Sequence, residues 1–177
     1  QKIGKGRGLE DIFNALQLLP AKRFSLTLLG SVTDDSKKYF DELNVNKCDV
    51  TYIDPVDPDQ IFEIAKNFDI GLCLEPGRDL NNRIALSNKV FTYLACGNAV
   101  VFSDTPAQAS FFNCNPNIGL LYKCGDSQEL AEKLLQYVDN PGLLFQQRKA
   151  SMRGGQDVYN WNLESDKLIT RVRKILN

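Results

Sequence analysis

Apolar positions along the chain fall into two alternating rhythms: short runs apolar almost without a break, and longer stretches with apolar residues at every third or fourth position. Leu9, Ile12, Phe13, Leu16 and Leu19 sit at the helical spacing, so the pattern predicts a helix from Gly8 to Leu19, closed by Pro20. Ser25 to Leu29 reads as a strand ending at Gly30. Asp35 to Leu43 is a polar helix with Tyr39, Phe40 and Leu43 on its inner face, followed by a strand from Val50 to Ile53. Pro58 suits the first turn of a helix reaching about Asn67, which is expected to bury Ile61, Phe62, Ile64 and Ala65 before a strand from Ile70 to Leu74.

The second half keeps the alternation. A helix from about Ser87 to Ala95 is stopped by Gly97, and Ala99 to Phe102 is apolar on both faces, the mark of a central parallel strand. Pro106 to Phe112 is a short helix, Ile118 to Tyr122 the last strand, and Gln128 to Val138 a helix with Leu130, Leu134, Leu135 and Val138 inward. Pro141 and Trp161 open two more helices. In the last of these Leu168, Ile169, Val172, Ile175 and Leu176 form a stripe, so this helix is expected to pack on something. Repeats and internal linkers are absent. The pattern therefore predicts one α/β domain over 1–177, a doubly wound, Rossmann-like parallel sheet with right-handed crossovers and a ligand crevice at the C-terminal ends of the strands.

Composition narrows the chemistry. The 177 residues are 43% hydrophobic and 24% charged, as in an ordinary globular domain. Lys plus Arg is 21 and Asp plus Glu is 22, so no global positive field favours nucleic acid, and any anion site must be local. The absence of histidine removes the commonest general base and most zinc chemistry. Five widely spaced cysteines, Cys48, Cys73, Cys96, Cys114 and Cys124, read as buried free thiols and point to a cytoplasmic setting. Gln1 in place of an initiator methionine, ahead of a glycine-rich stretch, suggests a piece of a longer protein.

Three candidate motifs fall on the expected ligand edge. Gly4 to Gly8, GKGRG, stands ahead of the first helix, where glycines such as Gly6 admit close backbone approach and Lys5 and Arg7 add charge. It lacks the GK[ST] of a Walker A loop and the full GxGxxG of dinucleotide binders. Ser87-Asn88-Lys89 opens another helix. Ser87 or Asn88 can cap it, whereas a lysine in the first turn opposes the helix dipole and calls for a bound anion such as a diphosphate. Glu75 ends an apolar strand, placed to accept hydrogen bonds from sugar hydroxyls. Two basic loops and one acid fit a nucleotide sugar.

RGLEDIFNAL, LTLLGS, the stretch from Glu75 to Gly97 and GNAVVFSD occur in an order and spacing that resemble the C-terminal domain of group 1 glycosyltransferases of the GT-B fold. The tail YNWNLESDKL resembles the terminal helix that in this family crosses back toward the N-terminal domain. The resemblance implies a donor-binding domain lacking its first strand and the whole N-terminal acceptor domain. It implies that Arg7 contacts the donor diphosphate, with Lys5 or Lys2 as second basic partner, that Glu75 touches the sugar, and that backbone N–H groups near Pro76, in the turn through Gly77 and Arg78, lie beside it. The base pocket would form around Gly30, Ser31, Asp54, Pro55 and Val56.

The chain departs from the family in two places. Where a second glutamate would bind ribose, five residues before Gly97, stands Thr92, and the loop from Arg78 to Leu86 is an insertion. Asn88, Lys89 and Tyr93 match the NK-x-x-x-Y pattern of a subset in which the lysine is a phosphate ligand. The implied reaction is transfer of a sugar from a nucleoside-diphosphate sugar with retention, using no cofactor and no obligatory metal. The isolated chain would bind donor weakly and transfer nothing. Its partners would be the nucleotide sugar and its own N-terminal domain, with peripheral membrane contact through that half. Half of a GT-B epimerase and a non-catalytic nucleotide-sugar-binding domain are the alternatives.

Overall fold

The computed structural model describes residues 2–20 and 23–176. From the N-terminus, β1 (Lys2–Ile3) leads through the glycine-rich loop into α1 (Leu9–Leu18). β2 (Ser25–Leu29) and β3 (Ser31–Val32) are separated by Gly30 and precede α2 (Asp34–Leu43), β4 (Asp49–Ile53) and α3 (Pro58–Ala65). Next come β5 (Ile70–Cys73), α4 (Leu80–Ile84), α5 (Lys89–Cys96), β6 (Ala99–Ser103), α6 (Pro106–Cys114) and β7 (Gly119–Tyr122). Three helices close the chain: α7 (Ser127–Asp139), α8 (Pro141–Asp157) and α9 (Trp161–Leu176).

Local chemistry sets these boundaries. Thr33 Oγ1 accepts from Ser36 N at the start of α2, Gln60 Oε1 accepts from Asp57 N ahead of Pro58, and Asp126 and Asn140 cap α7 and α8 through Glu129 N and Leu143 N. Gly97 closes α5 with φ 70°, a left-handed conformation that suits glycine.

Every strand pair is parallel, as the sequence pattern requires. β5, β6 and β7 form one group in the order β5-β6-β7, β2 pairs with β4, and β1 pairs with β3. Alternate residues of β6 serve opposite faces. Ala99 and Val101 join Ile12, Phe13, Leu16, Leu130 and Leu134 of α1 and α7, whereas Val100 and Phe102 join Cys73, Val90, Leu94 and Ile118. Burial on both faces is what makes the segment apolar throughout, each large side chain contributing roughly 1.5–3 kcal/mol. Gly119 is dictated by this pairing, since a Cβ there would lie 1.7 Å from Val100 O.

Five expectations change. The sheet is not hydrogen-bonded from end to end: among the described residues no strand joins β2 to β5, and a cavity of about 400 Å³ lies between them. Phe62, expected inside, is exposed because α3 covers only part of its neighbours, leaving Ala65 as its one buried residue. The inserted loop contains a helix, α4, started by Asp79, whose side chain accepts from Asn82 N at 2.7 Å. α9 carries no buried residue, and Leu168, Ile169, Val172, Ile175 and Leu176 are exposed together with Trp161. Its stripe has no cover within the described chain. All five cysteines are free, but Cys114, the last residue of α6, is exposed, and Cys124, in the loop after β7, is half-buried.

Candidate functional site

β5 ends at Cys73 and hands Leu74 and Glu75 to the C-terminal edge of the strands. Glu75 is fixed from behind: its N–H donates to Ser103 Oγ at 3.0 Å, and the Cys124 thiol donates to its carbonyl at 3.2 Å. Ser103 Oγ in turn donates to Cys73 O at 3.4 Å. The backbone of the acid is thus anchored on β6 and on the loop after β7, while its carboxylate points into the crevice. There it meets Lys89 Nζ at 3.3 Å, and Asn82 Nδ2 of α4 donates to its other oxygen at 3.5 Å.

Lys89 belongs to the first turn of α5. Ser87 Oγ accepts from Lys89 N at 3.4 Å, and Asn88 sits in helical conformation with no side-chain cap, so the serine takes the capping role. Beyond Glu75, Lys89 Nζ donates to Leu74 O at 3.5 Å. A cation at a helix N-terminus, where the dipole disfavours it, is compensated in this way by one carboxylate and one carbonyl. Thr92, one turn on, donates its hydroxyl to Asn88 O at 3.5 Å, so its proton is engaged and its oxygen is left as an acceptor.

The glycine-rich loop faces the same crevice. A Cβ on Gly8, at φ 81°, would lie 3.1–3.2 Å from Leu74 backbone and side-chain atoms, which packs the start of α1 onto the end of β5. Gly6, at φ 72°, lies under the Arg78 guanidinium, where a Cβ would be 2.9 Å from Nη1. Gly6 N donates to Glu10 Oε1 at 2.6 Å. Arg7 is exposed and lines the mouth of the cavity beside Asn88, Lys89 and Thr92.

Arg7, Asn88, Lys89 and Thr92 thus line one cavity, Glu75 and Ser87 are tied to it through Lys89, and Gly6 lies against Arg78, with half-buried Pro76 and Gly77 on the same turn. Lys5 goes elsewhere: its ammonium sits 4.0 Å from the centre of the Tyr39 ring on α2, a cation–π contact. Gly30, tied by its N–H to Ile53 O at 2.9 Å, and half-buried Val56 share the C-terminal edge on the β2–β4 side. Neither joins the hydrogen-bonded cluster around Glu75 among the described residues. Motif reading took Arg78 for its backbone alone and passed over its guanidinium and Asn82. The Asp79 cap signal three residues before Asn82 could have found the second.

The thiols near the site are held protonated. Burial pushes Cys73 up to about 12, with the Lys89 charge pulling the other way. Cys124 is raised by burial and by Asp11 and Asp104, against the Arg78 charge.

Residues 7–167 match the family described as glycosyl transferase-like. No curated protein matches the chain by sequence. Among solved structures, HepE of Anabaena in complex with UDP is 15% identical over 98% of this chain and 47% of its own, with a TM-score of 0.77. Sucrose-phosphate synthase of Thermosynechococcus elongatus is 16% identical over 98% of this chain and 43% of its own, with a TM-score of 0.79. The C-terminal domain of a glycosyl transferase group 1 family protein, LpcC of Francisella tularensis, is 16% identical over 90% of this chain and 83% of its own, with a TM-score of 0.73. The chain thus spans just under half the length of the first two. Among the described residues no helix is long and apolar enough to cross a membrane.

Proposed function

The chain belongs to the glycosyl transferase-like family, with the fold of a GT-B C-terminal domain, and on that premise we propose that it is the donor-binding half of a retaining glycosyltransferase. The donor is a nucleoside-diphosphate sugar, and the UDP bound by HepE favours uridine as its base. The observation that carries the reading is the Glu75–Lys89 pair, 3.3 Å apart at the end of β5, facing the N-terminal turn of α1.

In the proposed reaction the bond between the sugar's anomeric carbon and the diphosphate oxygen breaks, and its electron pair leaves with the diphosphate. The sugar passes to an acceptor held by the other half of the protein. Lys89, Arg7 and Arg78 stabilise the departing charge, a role in which each well-placed donor is worth roughly 10²–10³ in rate. Glu75 accepts hydrogen bonds from sugar hydroxyls and orients the anomeric carbon. Metal-independent turnover and a cytoplasmic setting are parts of this proposal.

The test is thermal melting of the chain with UDP, UDP-glucose, GDP and ADP. A ligand at 100 times its Kd stabilises by roughly 2.7 kcal/mol, which for a chain of this size raises Tm by about 5–10 °C. The uridine compounds are expected to do so more than the purine ones. Absence of a shift with any nucleoside diphosphate or UDP-glucose would overturn the reading.

A further inference from the structure

α4 buries no core residue, yet one of its side chains is turned inward. Of its five residues, Leu80, Asn81, Arg83 and Ile84 are exposed, and Asn82 alone is half-buried. Such a segment adds little apolar burial to the fold. Its start is fixed from within, because the Asp79 side chain accepts from Asn82 N at 2.7 Å. That cap uses the Asn82 backbone and leaves the amide side chain free to reach Glu75.

The Glu75 carboxylate meets a different neighbour on each oxygen. Lys89 Nζ stands 3.3 Å from Oε1, and Asn82 Nδ2 stands 3.5 Å from Oε2. The first contact is an ion pair. The second is longer than the roughly 2.7–3.2 Å of an ordinary N–H···O bond, so Oε2 keeps accepting capacity and the amide keeps donating capacity. With its side chain only 16% exposed, Glu75 is approached at Oε2 alongside Nδ2. A neutral donor beside an anionic acceptor suits a hydroxyl, which gives its proton to one and accepts from the other. An ammonium has no lone pair for Nδ2, and a phosphate or carboxylate is repelled by Glu75.

We propose that Asn82 is a specificity-determining residue for the donor sugar, an inference that rests on the donor-binding function proposed above. Its Nδ2 donates to the oxygen of the sugar hydroxyl whose proton goes to Glu75 Oε2. Acid and amide together read one hydroxyl in both of its roles. A sugar that lacks this hydroxyl, or carries fluorine in its place, leaves the carboxylate oxygen without a donor and is rejected. Lys89, on the opposite oxygen, serves the diphosphate, so α4 reads the sugar and α5 the phosphate.

The test is calorimetry of UDP, UDP-glucose and UDP-galactose with the unchanged chain, Asn82→Ala and Asn82→Asp. The ratio of the Kd for UDP to that for the tighter UDP-sugar isolates what the sugar adds. Asn82→Ala is expected to lower this ratio about 3- to 10-fold, as for loss of one neutral hydrogen bond, while UDP itself binds as before. Asn82→Asp is expected to lower it by at least about tenfold, because one hydroxyl proton cannot serve two carboxylates. Both variants are expected to melt within about 2 °C of the unchanged chain, as the Asp79 cap needs only the backbone of residue 82. An unchanged ratio in the variants, or equal weakening of UDP and UDP-sugar, would overturn the proposal, the latter making Asn82 a mere tie for α4. So would an unchanged chain that binds UDP and gains nothing from either sugar, or variants that fail to fold. If the unchanged chain bound none of the three, the donor-binding function would fall, and this inference with it.

Discussion

Replacing Lys89 by methionine separates the lysine's role in the fold from its role in the crevice. Its ammonium lies 3.3 Å from Glu75 Oε1, with the two side chains 25% and 16% exposed. At an effective dielectric of about 20 the gross attraction is about 5 kcal/mol, most of which desolvation offsets. Exposed pairs are worth roughly 0–1 kcal/mol and breaking a fully buried one costs roughly 3–5, so this half-buried pair should cost about 1–2 kcal/mol on rupture. For a chain of this size that lowers Tm by about 2–8 °C. If Lys89 also holds the donor diphosphate, losing a charged hydrogen bond of roughly 1.5–3 kcal/mol weakens UDP-glucose about 10- to 100-fold by calorimetry. A double variant, Glu75→Gln with Lys89→Met, removes the stranded carboxylate charge and is expected to recover part of the Tm but none of the affinity. An unchanged Kd in the single variant, or recovered affinity in the double, would refute the assignment.

Three further outcomes follow from the geometry. Arg78→Ala is expected to weaken UDP-glucose by about tenfold with little change in Tm, the loss of one exposed charged contact; calorimetry with circular dichroism reads both. Gly71→Ala puts a Cβ 2.2 Å from the Tyr93 ring and is expected to cost about 3 kcal/mol or more in urea unfolding, while a loss below about 1 kcal/mol would mean the ring moves freely. Burial lifts the Cys73 thiol from 9.0 to about 12, so the folded chain holds that proton more tightly than the unfolded one. Its contribution to stability is whole below pH about 9 and is lost as pH climbs toward about 12. In the folded chain at pH 8 a thiol reagent should modify exposed Cys114 long before Cys73.

Much of this was legible in the residues because periodicity reports burial directly. The unbroken apolar run of β6 announced a strand covered on both faces, and the spacing in α1 announced its inner side. Glu75 and Lys89 stood out because each breaks a local rule, an acid at the end of an apolar strand and a cation at a helix start. What periodicity cannot report is the identity of the cover. The stripe on α9 is as regular as that of α1, yet nothing described packs on it. Lys5 was a reasonable anion ligand by position, but the ring of Tyr39, over thirty residues away, lay outside what local pattern could reveal. The gap between β2 and β5 was hidden for a related reason, since each strand reads as central whether or not its neighbour is present.

The Glu75–Lys89 pair also bears on selectivity. Left to itself, each charge of the pair serves as the other's counter-ion. A simple anion that draws Lys89 away strands the carboxylate, and a simple sugar that engages Glu75 strands the ammonium. A molecule presenting hydroxyls and phosphate together exchanges both partners at once and leaves neither charge bare. On the proposed donor-binding reading the pair would act as a coincidence detector, answering to the joined donor more readily than to either of its parts.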